Sequence, residues 1–159
     1  MEPLPSVDAM ITKLRFLGVT LPAGPVHVDG FGDSDALSEE LLALIRQGRK
    51  RAGTDLVWAH EFDKIPLCQP GDIEIVVDHR GEPALVMRIV SVSVMPFSEV
   101  SAEYAAIEGE GDGSLEFWRR AHRTFFSREC KRIGREPSEA MEVVCNVFEV
   151  LHVLPRAAS

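Results

Sequence analysis

The chain has 159 residues, 45% hydrophobic and 26% charged, with a formal net charge of -8. Those figures suit one soluble domain with a real core, and with no apolar run near 18 residues they exclude a membrane span. The N-terminal Met1-Glu2-Pro3-Leu4-Pro5 lacks a basic region followed by an apolar run, so no secretion signal is expected; Cys68, Cys130 and Cys145, three at wide spacings, exclude a disulfide framework and a zinc knuckle and suit a reducing cytoplasm.

Val7, Met10, Ile11, Leu14 and Leu17 recur at helical spacing and predict a helix over 6–17, ended by Gly18. Residues 21–34, rich in Pro and Gly, read as a loop that could serve as a mobile arm. Ser34 or Ser38 is placed to cap a helix through Leu37, Leu41, Leu42, Leu44 and Ile45, which delivers the basic stretch Arg46-Gln47-Gly48-Arg49-Lys50-Arg51. Asp55 to His60 reads as a short strand. Ile73–Asp78 and Ala84–Val90 flank His79-Arg80-Gly81-Glu82 and predict a hairpin, prolonged from Val92 to Phe97. Ser98 is placed to cap a helix holding Val100, Tyr104, Ala105 and Ile107.

Glu108-Gly109-Glu110-Gly111-Asp112-Gly113 begins like a calcium loop, with acids at one, three and five and Gly at six. Position twelve is Arg119 instead of a bidentate Glu, which rules out an EF-hand, and the glycines end one helix and start the next. Leu115, Trp118, His122, Phe125, Phe126 and Ile133 form a long amphipathic helix closed by Gly134. Arg119, Arg120, Arg123, Ser127 and Arg128 lie on its other side. Val143 to Val153 makes a last strand. This order of elements predicts a mixed α+β fold, a compact barrel and not a parallel doubly wound sheet.

Charge is segregated. Residues 46–51 and 119–135 carry eleven of the 17 cations and one acid, Glu129. Such segregation builds a positive patch on an acidic protein, and the lack of interleaved acids argues against two ordinary solvated faces. The first run also reads as a helix end, since cations suit the dipole there and Gly48 is a terminator; on that reading Lys50 is exposed and contributes about 0.3–1 kcal/mol of stability. Walker and dinucleotide glycine fingerprints are absent, and His122, among helix apolars, reads as a packed residue. The chemistry-bearing groups that remain are Lys50, Thr54, Ser127 and Glu108. A lysine crowded by Arg49 and Arg51 suits stabilisation of an oxyanion or activation of a hydroxyl or water, and a carboxylate at a glycine-rich helix end can move protons.

Phe31-Gly32-Asp33-Ser34, Gly48-Arg49-Lys50-Arg51, Pro70-Gly71-Asp72-Ile73, Glu108-Gly109-Glu110-Gly111-Asp112-Gly113-Ser114-Leu115 with Trp118-Arg119, and Phe125-Phe126-Ser127-Arg128-Glu129-Cys130 occur in this order. Together they resemble the ASCH (ASC-1 homology) domain family, whose members are similar to the RNA-binding PUA domain. The resemblance implies a PUA-like small β-barrel with flanking helices over residues 31–153. It leaves 1–30 as an N-terminal helix and linker arm and 154–159 as a tail. Gly48 and Lys50 match the family's Gly-x-Lys-x-x-Thr signature; its Thr position falls on Gly53, with Thr54 one residue later. Some small bacterial members deacylate N4-acylated cytidines with a Lys, a Thr and a Glu, and Ala105-Ala106-Ile107-Glu108 resembles the context of that Glu. Longer members with Glu-Gly-Glu-Gly-Asp and Phe-Phe-Ser-Arg segments include ribonucleases, which implies Lys50 and Ser127 as participants.

The expected function is therefore a cytoplasmic RNA- or nucleotide-binding hydrolase. A ribonuclease on single-stranded RNA comes first, because two arginine-rich segments exceed what a neutral nucleoside needs. An amidohydrolase for N4-acetylcytidine-type nucleosides and a non-catalytic RNA-binding module are the alternatives. Lys50, Glu108, Ser127 and Thr54 are the expected catalytic residues, and Arg49, Arg51, Arg119, Arg123, Arg128 and Asp33 the expected binding residues. No residue is assigned to a metal, although a ribonuclease could draw on a divalent metal.

Overall fold

The computed structural model describes residues 3–156, so the chain's first two residues and the last three of the expected tail lie outside the described residues. Its elements are α1 (Val7–Phe16), β1 (Val26–Gly30), α2 (Asp35–Arg46), β2 (Ala52–Leu56), α3 (Val57–Asp63), β3 (Ile73–Val77), β4 (Pro83–Pro96), α4 (Ala102–Glu108), α5 (Leu115–Ile133) and β5 (Glu142–Val153). This is the mixed α+β class expected, with the strands ordered β1-β3-β4-β5-β2 in one sheet. Among the described residues no helix is long and apolar enough to cross a membrane. The chain divides into two compact units, one of Met1–Gly48, Pro70–Val90 and Phe148–Ser159, the other of Arg49–Gln69 and Ser91–Val147.

In the first unit α1 starts at Ser6, whose hydroxyl accepts from the Ala9 amide, and α2 at Ser34, which accepts from Leu37. That leaves Ser38 buried inside the helix, so the cap falls on the first of the two candidate serines. The expected hairpin is present: β3 runs antiparallel to β4, with Ile73 opposite Arg88. One element is a correction. Residues 26–30, read as loop, form β1 and pair in parallel with β3, Val26 opposite Ile73. Val26 and Val28 turn toward the core while His27 and Asp29 stay exposed, a period-two pattern too short to stand out beside Pro22, Gly24 and Pro25. Met10, Leu14, Ile73, Ile75, Val77, Val86 and Leu154 form the core here.

In the second unit β2 runs antiparallel to β5, with Thr54 opposite Cys145 and Gly53 opposite Asn146. Its core joins Leu56, Phe97, Trp118, Phe126, Cys130, Met141, Val143 and Cys145. Val57 to His60, expected as strand, are the start of α3. The β-branched and aromatic pair Val57-Trp58 suits a strand by propensity, but Trp58 and Ala59 pack on this core, and tertiary packing overrides the local preference. The cap of α4 is Ser101, which accepts from Tyr104, and not Ser98. Ser98 lies in the 3-10 turn Phe97–Glu99, its amide donating to Glu139 O at 3.0 Å. Ser114 caps α5 by accepting from Phe117, and Gly134 closes it in the left-handed region.

Gly109 ends α4 at φ 68°, and a Cβ there would lie 2.0 Å from the Arg49 carbonyl oxygen. The turn after α4 therefore rests on the backbone just before Lys50, and only glycine lets it approach. Gly109→Ala is expected to cost about 2–4 kcal/mol, left-handed strain and overpacking acting together. Urea unfolding measures it, and a loss below about 1 kcal/mol would contradict the close approach.

Candidate active site

Lys50 precedes β2, and its side chain is only 2% exposed. Its Nζ donates to Ala52 O at 2.7 Å, to Glu108 Oε1 at 3.3 Å and to Glu110 Oε2 at 3.2 Å, three acceptors for the three N–H bonds of an ammonium. Glu108 is the last residue of α4, pinned beside Lys50 because the Arg51 amide donates to Ile107 O at 3.0 Å. Thr54 comes from β2, and its hydroxyl donates to Glu108 Oε2 at 2.8 Å. Tyr104, one turn before Glu108, places its phenol 3.0 Å from Thr54 Oγ1 and donates to Gly53 O. From α5, Trp118 Nε1 donates to Glu108 Oε2 at 2.6 Å. His122, four residues on and so on the same helix face, donates from Nε2 to Glu108 Oε1 at 3.1 Å. Its Nδ1 donates to Trp118 O at 2.9 Å, and its ring stacks on the indole at 4.2 Å.

The Glu108 carboxylate thus accepts from four donors, two on each oxygen. Burial alone would push its proton affinity up, but the Lys50 ammonium and then His122 outweigh it and hold Glu108 well below the usual carboxylate range. Glu110 moves the other way: burial raises it, Lys50 opposes, and the Glu108 charge raises it further. Burial works against a charged His122, yet the Glu108 charge and hydrogen bond, with Glu110 behind them, leave it raised. Nearby, burial and the Glu108 charge push the Tyr104 phenol up and the Cys145 thiol up to about 12, so neither is a ready nucleophile at neutral pH. Ligand-type atoms of Glu108, Glu110 and His122 lie within 4.8 Å of one another, a spacing that suits a cation. The Lys50 ammonium bridges the two carboxylates at 3.3 and 3.2 Å.

Of the residues singled out in the sequence, the structure brings together Lys50, Thr54 and Glu108. The exposed, helix-end Lys50 is a correction: the side chain enters the unit to reach acceptors that lie 58 and 60 residues away in sequence. Its close neighbours are acids instead of guanidinium groups, because Arg49 Nη2 donates to Gly111 O at 3.2 Å and Arg51 is exposed. Ser127 is exposed on α5, outside this hydrogen-bonded set. Arg119 is half-buried there, Arg123 is bound to Glu139 at 2.7 Å, and Arg128 lies over the Phe125 ring. Asp33 is half-buried just before α2, in the other unit. The arginines of α5 also find acids that the sequence does not interleave: Arg132 pairs with Asp63 and with Glu129, each at 2.8 Å. Sequence reasoning missed Glu110, Tyr104, Trp118 and His122 as site members. The i, i+4 spacing of Trp118 and His122 and the Glu-x-Glu of the glycine-rich loop were the available signals.

A family model described as ASCH domain matches residues 27–152. Among solved structures, an ASCH domain from Lactobacillus crispatus JV V101 is similar at 32% identity and TM-score 0.78, over 90% of this chain and 92% of that one. A protein from Enterococcus faecalis V583 is similar at 26% identity and TM-score 0.77, over 92% of this chain and 88% of its own. No curated protein matches the chain.

Glu108→Gln is expected to lower stability by about 3–5 kcal/mol, the usual cost of stripping one partner from a buried ion pair. The pH dependence carries a sign. The depressed Glu108 contributes stability above its ordinary value of 4.5 that is lost as pH falls through its folded value. The raised His122 contributes stability below 6.5 that is lost as pH rises through its folded value. Urea unfolding from pH 3 to 9 should show stability falling below about pH 4.5, with that acid limb weakened in Glu108→Gln. A variant as stable as wild type with an unchanged acid limb would contradict the central role of Glu108.

Proposed function

The chain belongs to the ASCH domain family, and from that premise we propose that it hydrolyses the exocyclic amide of N4-acylated cytosine nucleosides. One observation carries the reading. Thr54, although one residue beyond the signature position, donates to Glu108 Oε2 at 2.8 Å, and the other oxygen of that carboxylate meets Lys50. The Lys, Thr and Glu implied by the resemblance thus share one carboxylate. Amide hydrolysis needs a positive group for the oxyanion that forms when water adds to the carbonyl, and the buried Lys50 ammonium supplies it through its charge at close range, its N–H bonds being held by Ala52, Glu108 and Glu110. Thr54, its own proton committed to Glu108, presents an oxygen that can orient the attacking water.

Turnover of N4-acetylcytidine to cytidine tests this. Thr54→Val, nearly isosteric, is expected to lower the rate about 10²–10³-fold, the loss seen when one oriented polar group is removed, while Ser127→Ala stays near wild type. Deacylation undiminished in Thr54→Val would overturn the reading. RNA cleavage lost in Ser127→Ala would restore the ribonuclease in its place.

A second reading concerns binding, because the family is associated with RNA. On α5 the exposed Arg120 and Arg128 lie 5.7 and 5.8 Å over Phe117 and Phe125, flat cationic surfaces of the kind on which bases and phosphates settle. Single-stranded RNA is expected to bind with affinity falling steeply as salt rises, and Arg120→Ala/Arg128→Ala to flatten that slope by about two phosphate contacts. Salt-independent binding, or a slope unchanged in the double variant, would remove α5 as an RNA surface.

A further inference from the structure

The two carboxylates of the cluster are not equivalent. Glu108 is enclosed by donors from Lys50, Thr54, Trp118 and His122, and its side chain is 2% exposed. A carboxylate with all four lone-pair directions filled has no direction from which to accept a further proton. Glu110 meets Lys50 at 3.2 Å through Oε2, and its side chain is 16% exposed where that of Glu108 is 2%. Its loop is built to hold it so: the Gly113 amide donates to Glu110 O at 2.9 Å, and Arg49 grips the next carbonyl, Gly111 O. Gly111 is pressed so closely on the Phe117 ring that a Cβ would come within 2.5 Å of it.

We propose that Glu110, and not Glu108, takes the proton from the attacking water and returns it to the departing nitrogen, while Glu108 is a positioning residue that holds Lys50, Thr54 and His122. This rests on the amide-hydrolase reading above. The step balances. Water gives one proton to Glu110 as its oxygen bonds to the acyl carbon, and the carbonyl oxygen becomes an oxyanion beside Lys50. The tetrahedral species then collapses, the C–N bond breaks, and Glu110 gives the proton to the exocyclic nitrogen. Cytidine and the free carboxylic acid leave, and Glu110 is ready again.

The groups facing Glu110 suit it to the task. Lys50 reaches it from the segment before β2, Glu108 from the end of α4, and His122 from α5 with Nε2 at 4.0 Å. Burial, with the charge and hydrogen bond of Glu108, outweighs the two cations and raises its proton affinity above that of an ordinary carboxylate, the direction that strengthens a base.

The test is kcat and KM for N4-acetylcytidine from pH 4 to 9 in wild type, Glu110→Gln and Glu110→Asp. Wild type should show an acid limb with its midpoint above 4.5. Glu110→Gln should lose about 10²–10⁴-fold in kcat with KM changed only a few-fold, and lose that limb. Glu110→Asp should keep the limb at reduced kcat, a rescue that a purely structural role would not produce. If Glu110→Gln keeps kcat within tenfold and keeps the acid limb, the assignment of Glu110 is overturned and the hydrolase reading stands. If Glu110→Gln does not fold, Glu110→Asp decides, an unchanged kcat and profile overturning the assignment. Wild type without turnover on N4-acetylcytidine or longer N4-acyl analogues overturns the hydrolase reading, and this assignment with it.

Discussion

Burying a carboxylate costs several kcal/mol after relaxation, and no single partner recovers that. Glu108 is fully inside the second unit, and the structure answers its charge with an ammonium, an imidazole, an indole N–H and a hydroxyl. Each donor has to arrive at one point from a different element. Lys50 comes from the segment before β2, Thr54 from within β2, and Trp118 and His122 from successive turns of α5. The sharp turn between α4 and α5 brings the two helices to the same carboxylate. Gly109 and Gly111 of that turn are a consequence of this convergence, because the Arg49 backbone and the Phe117 ring lie where a Cβ would be.

The same network explains a core residue that carries two duties. Trp118 stacks on Phe97 at 5.2 Å on one side and on His122 at 4.2 Å on the other, while its N–H reaches Glu108. Full burial of a large apolar side chain is worth about 1.5–3 kcal/mol, and the indole spends its only polar group on the carboxylate instead of leaving it unpaired. Among the described residues no buried side-chain polar atom lacks a partner. A polar network so placed is stiff, since moving any member would strand another. Stiffness of this kind is what electrostatic catalysis requires, because a preorganised charge need not rearrange as the reaction proceeds.

Much of the fold was legible because its signals are local. Serine caps, terminating glycines, the β3–β4 hairpin and the 3.6-residue pattern of α5 all appear in short windows of sequence. The misreadings occurred where distant packing decides: Val57 and Trp58 are helical because a core holds them, and β1 is a strand because β3 offers it a parallel edge. The site divides the same way. Lys50 and Glu108 stand in recognisable motifs, but nothing local says that the lysine is buried. Its acceptors are supplied by α4 and the following loop, and a run of cations reads as exposed until its acids are located. Arg123 and Arg132 teach the same lesson, each answered by an acid from another segment.

Ser127 shows what a motif leaves undetermined. It stands five residues after His122, and at 3.6 residues per turn five residues carry it well round the helix from the face that meets Glu108. The resemblance to members with a Phe-Phe-Ser-Arg segment implied it as a participant, while helix geometry sets it in solvent. Thr54 is the converse case. One residue beyond its signature position, it would be expected to point to the opposite face of β2. Its hydroxyl nevertheless meets Glu108, because in a strand the residue that counts is the one whose face looks toward the carboxylate, and here that residue is Thr54 opposite Cys145. A signature spacing records a typical path of the chain between two functional groups. The physical requirement is that the groups meet, and the path may differ by a residue provided the pleat still presents the hydroxyl inward.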